Sequence, residues 1–243
     1  MRIVSLNTWK NEGDYPRRLR LMGDGLAALQ PDVVCLQECF VGAGWDTAGV
    51  LANRLGLVLH AAPARRKPRF HQGELVRSSS GLAILTRQLG ASEAIDLPED
   101  PNDGQRIAQR LALALDGPPL SFLNLHMTHL RGPTAAALRA RQLDLALDWA
   151  EENLAGGLVV AGDLNAGAED VELARLGLTC GPSTLQPARL GDPVHAGPAI
   201  DHCHLWRAGG WRAQSIVQAM GDADEDGFRP SDHKAVVLDL HPA

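Results

Sequence analysis

Short apolar runs that end in polar residues recur along the chain and constrain its fold more than any other feature. The clearest is Leu158-Val159-Val160-Ala161, which is followed by Gly162-Asp163-Leu164-Asn165. Runs of β-branched and aliphatic residues bounded by glycine or polar residues predict buried strands. Similar runs begin at Arg2, Asp32, Leu120 and Ala235. By itself the pattern predicts one domain of the α/β or α+β class.

The polar residues at these strand ends are spaced so that their side chains can meet. Side chains alternate along a strand, so Asp163 and Asn165 should project to one side while Leu164 points into the protein. The same spacing separates Asn124 from His126. Because functional sites are commonly built where strands end, we expect a site at this edge of the sheet.

Taken in order, these motifs resemble the endonuclease/exonuclease/phosphatase superfamily of metal-dependent phosphoesterases. The motifs are Asn7, Gln37-Glu38, Asn124-Leu125-His126, Gly162-Asp163-Leu164-Asn165, Ile200-Asp201-His202 and Ser231-Asp232-His233. The resemblance extends from residue 3 to residue 240. It implies an α/β fold in which a two-layer β-sandwich is flanked by helices, with four layers in the order α/β/β/α. It also implies a single domain over residues 1–243 that hydrolyses phosphoester bonds.

The resemblance implies a metal site formed by Asn7, Glu38 and Asp232. Carboxylate and amide oxygens are hard ligands that suit Mg²⁺, with Mn²⁺ as the alternative cofactor. A phosphodiester is anionic and repels an incoming hydroxide, so its hydrolysis benefits from a cation that neutralises charge. These three residue types therefore fit the chemistry that the resemblance implies.

Five further residues are implied to act on the phosphate. Asp163 is the expected general base, and Asn165 orients it or holds the attacking water. His126 and His233 can donate hydrogen bonds to phosphate oxygens, and Asp201 is expected to fix the ring of His233, as carboxylates commonly do for histidine.

Two residues and one basic cluster are candidate substrate contacts. Asn124 precedes the strand-end histidine by two residues, and Arg106 resembles an arginine that the family often places on the preceding strand. Arg106 fits either a phosphate contact or a structural role. The cluster contains Arg65, Arg66, Lys67, Arg69 and His71. It is either an arm that grips phosphate or a solvated charged surface.

The bulk charge of the chain bears on the class of substrate. The formal net charge is −6, and only 10 residues are aromatic (Trp 5, Phe 4, Tyr 1). Proteins that grip long nucleic acids usually present a basic face. The motif Asn124-Leu125-His126 with His129 resembles the phospholipid, phosphoinositide and tyrosyl-DNA phosphodiesterase branches. We therefore expect a small, lipid-derived or nucleic-acid-end phosphodiester, with a nuclease of the same superfamily as the alternative.

Composition and cysteine spacing limit the class of protein further. Hydrophobic residues make up 45% of the 243 residues, and the longest apolar runs have the length of strands, so no transmembrane segment is predicted. The chain opens on a strand without a secretory signal, which predicts a cytoplasmic location. None of the four cysteines forms a Cys-x-x-Cys pair, which predicts reduced thiols.

Periodic leucines predict three helices between the strands. We expect them over Tyr15–Gln30, Asp46–Leu55 and Thr134–Leu154. Pro31 ends the first, and Gly156-Gly157 is expected to end the third. Proline and glycine are so frequent from Gly181 to Pro198 that this segment is predicted to be a loop with little regular structure.

Three alternatives to a magnesium phosphoesterase remain open from the residues alone. A zinc hydrolase would use the four histidines His126, His129, His202 and His204. The acidic segment Asp222–Gly227 resembles the start of a calcium loop, but His233 stands where the closing glutamate would be, which favours a solvated loop. A non-catalytic binding module with the same fold is the third alternative.

Overall fold

The structure, a computed structural model, describes residues 1–194 and 197–243. In these ranges the chain forms strands, three α-helices and one 3-10 helix. The helices are α1 (Tyr15–Leu29), α2 (Thr47–Leu55) and α3 (Pro133–Glu151), and the 3-10 helix spans Val171–Leu176. The strands are β1 (Arg2–Asn7), β2 (Val33–Gly42), β3 (Trp45–Asp46), β4 (Val58–Ala62), β5 (Lys67–His71), β6 (Glu74–Thr86), β7 (Ala91–Leu97), β8 (Arg106–Leu113), β9 (Leu120–His126), β10 (Gly157–Asp163), β11 (Asp201–Arg207), β12 (Trp211–Ala219) and β13 (Ala235–Pro242).

The strands form two mixed sheets. The first has the order β12-β13-β1-β2-β6-β4, with β3 paired to β2 and β5 paired to β6. The second has the order β11-β10-β9-β8-β7. Each sheet contains one parallel pair in which the two polar strand ends lie side by side: Asn7 is opposite Gln37, and His126 is opposite Asp163. Topology thus gathers residues that are far apart in the sequence.

Alternating residues of the central strands bury both faces of each sheet. On β1, Ile3 belongs to the core between the two sheets, whereas Val4 packs toward α1 and α2. On β9, Phe122 faces the other sheet and Leu123 faces α3. Strands that are covered on both faces read as continuous apolar runs, as these do. The layers are therefore helices, sheet, sheet and helix, which confirms the predicted four-layer sandwich.

Local signals set the helix ends. Asp14 accepts a hydrogen bond from the Arg17 amide at the start of α1, and Asp46 does so from the Gly49 amide at the start of α2. Gly56 ends α2 with φ of 65°, a left-handed conformation that glycine adopts without strain. The prediction for the third helix was too long at its end, because Glu152 leaves the helical conformation and Gly157 already belongs to β10.

The long loop predicted over residues 181–198 is largely irregular where it is described. It contains isolated bridges, from Leu185 to His233 and from Arg189 to Phe228. His195 and Ala196 lie outside the described residues. No helix in the described ranges is both long and apolar enough to cross a membrane.

Candidate active site

The strand ends of both sheets open into one cavity of about 1080 Å³. Its wall combines residues from β1, β2, β9 and β10 with the segment that precedes β13. The predicted site residues that line it are Asn7, Glu38, Arg106, His126, Asp163, Asn165, Asp232 and His233. Residues that lie more than two hundred positions apart in the chain thus face the same space.

A bulge in β2 turns Glu38 toward the cavity. The register between β2 and β6 shifts between Leu36 and Cys39, so Gln37 and Glu38 fall in the irregular stretch. Glu38 has a positive φ of 58°, which a residue with a β-carbon adopts only at a cost. Bulges commonly re-aim side chains beside functional sites. The strain at Glu38 is therefore consistent with a position maintained for function.

Asn7, Glu38 and Asp232 form an oxygen-rich wall of the cavity. Burial and the nearby charge of Glu38 raise the pKa of Asp232 to about 6, against the opposing charges of His233 and Arg18. The Glu38 carboxylate lies 3.0 Å from the Lys10 ammonium group. Two carboxylates crowded in a partly buried wall favour a bound cation, and carboxylate and amide oxygens suit Mg²⁺. The donor set therefore fits a hard divalent ion.

Asp163 lies at the centre of the polar groups. Its carboxylate accepts hydrogen bonds from the Asn7 side chain at 3.0 Å and from the Asn165 backbone amide at 2.9 Å. Burial, followed by the negative charge of Asp201, raises the pKa of Asp163 to about 7. A carboxylate with a pKa near neutrality is suited to proton transfer.

The backbone near Asp163 requires a glycine at position 162 and suits an asparagine at position 165. A β-carbon at Gly162 would lie 1.9 Å from the Leu125 carbonyl oxygen, so only glycine allows β9 and β10 to approach so closely. Asn165 has φ of 53°, a left-handed conformation that asparagine tolerates. The Asn165 side chain donates to the Met127 carbonyl at 3.1 Å. These contacts hold Asp163 in one orientation.

His233 is paired with Asp201. The His233 Nδ1 atom lies 2.8 Å from the Asp201 carboxylate, and both side chains are buried. Burial lowers the pKa of His233, but the Asp201 charge and hydrogen bond, with Asp163 and Asp232, outweigh it and raise that pKa well above its ordinary value. Asp163, Asp201 and His233 also each offer a ligand atom within 4.8 Å of the others, a group that could hold a metal ion.

His126 lies opposite and has different neighbours. Its Nε2 atom is 3.7 Å from the Asp163 carboxylate and 4.0 Å from that of Glu38. Burial lowers the pKa of His126 well below its ordinary value, and the charges of Arg106, Arg65 and Lys10 lower it further. The pKa values of the two cavity imidazoles are therefore shifted in opposite directions, which favours a neutral His126 and a protonated His233.

Arg106 reaches the cavity from β8 and is held by an aspartate that the sequence reading did not single out. The guanidinium forms two hydrogen bonds to Asp103, at 2.8 and 2.5 Å, and Asp103 also lies 2.7 Å from His129. Burial raises the pKa of Asp103, but the Arg106 hydrogen bond and charge prevail and lower it to about 2. The buried Arg106 Nη1 atom has no hydrogen-bond partner among the described residues. This free donor suits an anion in the cavity.

Asn124 is not part of the cavity wall. Its side chain is fully buried, accepts from Gln37 at 2.8 Å and donates to the carbonyls of Leu36 and Ala83. Its amide is used to join the two sheets, which contradicts the prediction that Asn124 contacts substrate.

A second residue missed by the sequence reading is Arg18. Its buried guanidinium donates to the carbonyls of Thr8, Trp9, Lys10, Glu12 and Pro230. These bonds fasten the segment after Asn7 to the segment before Asp232. Arg18 lies on the buried face of α1 with Tyr15 and Met22. The sequence could have indicated this role, because Arg18 lies on the same helix face as the apolar residues of α1.

The four-histidine zinc hypothesis is not supported by the described residues. His129 binds Asp103 and Arg106, and His202 Nε2 lies 3.0 Å from the Ala166 carbonyl. The cluster of potential metal-binding residues that the described ranges contain is the one with Asp163, not one of histidines.

The acidic segment over residues 222–227 does not resemble an ion site either. Asp224 and Asp226 both bind the Arg17 guanidinium, at 2.8 and 2.5 Å. Asp224 also accepts backbone hydrogen bonds from Asp226 and Phe228. Two of the four acidic side chains in the segment, those of Asp224 and Asp226, thus have partners within the protein.

Comparison with known proteins places the chain in a family. Residues 4–233 match the model of the Endonuclease/Exonuclease/phosphatase family. The chain belongs to this family. It is therefore an enzyme of the phosphoesterase and nuclease class, whose members use divalent metal ions. None of the curated proteins compared with the chain matches it significantly.

Solved structures share the fold at low sequence identity. D. rerio TDP2 complexed with single strand DNA product is 19% identical, with a TM-score of 0.71 and coverage of 99% of this chain and 98% of that one. The human Nocturnin catalytic domain with bound sulfate anion is 19% identical, with a TM-score of 0.72 and coverage of 100% and 93%. The endonuclease/exonuclease/phosphatase from Beutenbergia cavernae DSM 12333 is 19% identical, with a TM-score of 0.72 and coverage of 100% and 72%.

Proposed function

We propose that this enzyme hydrolyses a phosphodiester by in-line attack of water with Mg²⁺, or Mn²⁺, as cofactor. The observation that carries the proposal is the position of Asp163, whose buried carboxylate lies between the two histidines and beside the Asn7 and Glu38 wall. The substrate in this proposal is a small, lipid-derived or nucleic-acid-end phosphodiester. The nucleic-acid end is supported by the fold shared with D. rerio TDP2, which was complexed with single strand DNA product.

Asp163 is proposed to accept the proton of the attacking water. Its pKa of about 7 gives a useful fraction of ionised base at neutral pH. The Asn7 side chain and the Asn165 amide fix the carboxylate, so little reorganisation is needed when the proton moves.

The cations and donors of the cavity are proposed to hold the phosphate. Protonated His233, maintained by Asp201, donates from Nε2 to a phosphate oxygen. Neutral His126 contributes a second hydrogen bond, and the free Nη1 of Arg106 a third. Such donors act most strongly on charge that develops in the transition state.

Asn7, Glu38 and Asp232 are proposed to hold the metal ion. When bound, the ion would neutralise negative charge on the phosphate. The raised pKa of Asp232 and its proximity to Glu38 support this assignment, because a cation relieves their mutual repulsion.

Metal dependence and substrate class can be tested together. The protein is treated with EDTA, and hydrolysis of bis(p-nitrophenyl) phosphate and of p-nitrophenyl phosphate is followed after addition of Mg²⁺, Mn²⁺ or Zn²⁺. We expect Mg²⁺ or Mn²⁺ to restore hydrolysis of the diester. Full activity in EDTA, restoration by Zn²⁺ alone, or hydrolysis of the monoester only would contradict the proposal.

A further inference from the structure

A chain of positive charges leads out of the catalytic cavity along the β5–β6 hairpin. Arg65 and Lys67 line the cavity itself. Both also line a neighbouring hollow of about 260 Å³, where Arg66 joins them. Arg66 and Lys67 continue into a groove of about 600 Å³, which Arg77 also lines. The catalytic cavity and the groove are therefore connected by shared side chains.

The groove is basic in a protein of net negative charge. Its walls are formed by Val41, Gly42, Arg66, Lys67, Pro68, Arg77, Ser78 and Ser79, with no carboxylate among them. Arg66, Lys67 and Arg77 form no salt bridge with any residue in 1–194 or 197–243. Burial and then the charges of Arg65, Arg69 and Lys10 lower the pKa of Lys67. An anion bound in the groove would offset this repulsion.

The basic cluster found in the sequence divides into two parts. Arg69 is buried and donates to the hydroxyls of Ser78 and Ser80 and to the Arg65 carbonyl. His71 packs among aromatic rings, with centroid distances of 5.2 to 5.8 Å. These two residues hold the hairpin in place. Arg66 and Lys67, in contrast, are exposed.

An aromatic ring lies on the same hairpin beyond the cations. Pro68 is opposite Arg77 and Phe70 is opposite Leu75, and residues two apart on a strand share a face. The exposed fractions of Phe70 and Leu75 are 74% and 62%. Single nucleic-acid strands bind to grooves that combine cations for the backbone with rings on which bases stack. The arrangement of Arg66, Arg77 and Phe70 matches that requirement.

We propose that the groove lined by Arg66, Lys67 and Arg77 binds a second phosphate of a single nucleic-acid strand whose scissile phosphate occupies the catalytic cavity, with a base stacked on Phe70. The inference rests on the proposed phosphodiesterase function and narrows its substrate to a strand with several phosphates. A small diester with one phosphate would leave the groove unused.

The test measures binding of fluorescein-labelled oligothymidylate by fluorescence anisotropy, in EDTA so that no turnover occurs. The parent protein is expected to bind. The Arg66→Ala/Arg77→Ala double variant should bind more weakly, and its slope of log affinity against log salt should fall by about 0.7, because the one phosphate contact in the groove is lost. Phe70→Ala should weaken binding by about fivefold or more.

The matched control is the Arg20→Ala/Arg212→Ala double variant, which removes two exposed arginines from α1 and β12. It should keep the parent affinity and salt slope. Equal losses in both double variants would mean that only overall charge matters, and would overturn the assignment. An absence of oligothymidylate binding by the parent would also overturn it.

A lipid surface is the competing occupant, and the same proteins distinguish it. Binding of the parent to phosphatidylserine vesicles, lost in the Arg66→Ala/Arg77→Ala variant while oligothymidylate binding stays unchanged, would contradict the proposal. Hydrolysis of bis(p-nitrophenyl) phosphate by the parent tests the proposed function separately. Diester hydrolysis with unchanged strand binding in the double variant would reject this inference alone.

Discussion

His126 and His233 face the same cavity, yet their surroundings shift their pKa values in opposite directions. Burial, followed by the charges of Arg106, Arg65 and Lys10, lowers the pKa of His126 well below the ordinary value. His233 is equally buried, but Asp201, Asp163 and Asp232 raise its pKa well above that value. The surroundings therefore favour the neutral ring at one strand-end motif and the cation at the other.

The difference between the two pKa values comes from neighbouring charges, because burial acts on both rings in the same direction. Burial lowers the pKa of both rings. Only His233 has a carboxylate in direct contact, at 2.8 Å. Between the two rings lies Asp163, which can accept a proton on one side while His233 retains its own on the other.

Removing the carboxylate between the rings should have the largest effect. We expect Asp163→Asn to reduce kcat by about 10²- to 10⁴-fold, because the general base is lost. Rates of phosphodiester hydrolysis at saturating metal measure this effect. Asp116→Asn, at an exposed position, is the control and should retain parent activity. An active Asp163→Asn protein would remove this residue from the mechanism.

Removing Asp201, the partner of His233, should reduce the difference in pKa between His233 and His126. We expect Asp201→Ala, His233→Ala and the double variant to lose similar activity, by roughly 10²-fold, because residues that act as a unit are not additive. Without Asp201 the pKa values of both His233 and Asp163 should fall. The pH–rate profile of Asp201→Ala should therefore move to lower pH.

The double variant tests whether Asp201 and His233 act as a unit. Additive losses in Asp201→Ala/His233→Ala would mean that the two residues act independently. An unshifted pH–rate profile in Asp201→Ala would mean that the carboxylate does not set the charge of the ring.

A substitution at Glu38 tests the proposed metal site. Glu38→Gln removes one negative charge from the proposed shell and should raise the Mg²⁺ concentration for half-maximal activity by roughly tenfold or more. Titration of the rate against Mg²⁺ measures this value. Glu225→Gln, at an exposed position, should leave the curve unchanged. A parent-like Mg²⁺ curve for Glu38→Gln would exclude Glu38 as a ligand.

The smallest expected effect is a change in the pKa of His126 when a neighbouring charge is removed. Arg65 is one of the charges that lower the pKa of His126, so Arg65→Gln should raise that pKa, but only in part, because burial is the larger cause. The shift is measured by NMR titration of the imidazole. Arg66→Gln, at the adjacent exposed position, is the control and should leave the pKa of His126 unchanged. A fall in Arg65→Gln would contradict the assigned cause.

Most of the fold could be predicted because it depends on local patterns. The apolar runs at Ile3, Val33 and Val159 mark central strands, and the leucine spacing marks α1 and α3 within a few residues. The end of α3 could not be read from Gly156, because the backbone already turns at Glu152. Local sequence patterns therefore predicted which helices and strands form better than they predicted the residues at which those elements end.

The site could be predicted only where the residues themselves follow a known order. Asp163 and His233 belong to such motifs, and the structure brings them to one cavity. Asn124 belongs to one as well, but its amide binds Gln37 and two carbonyls of the other sheet, a contact that no local pattern reveals. Asp103 and Arg18 also escaped notice. Asp103 binds Arg106 three residues along the chain, and Arg18 binds carbonyls of the preceding loop and of Pro230, contacts that form only once these loops have folded.

NMR titration of the imidazoles in the metal-free parent protein tests the central claim most directly. His126→Ala and His233→Ala identify the two sets of signals. At pH 6.5, the ordinary pKa of histidine, we predict that His126 is neutral and His233 is protonated. If both rings titrate together near that pH, or if His126 holds its proton to higher pH than His233, the proposed division of roles is wrong.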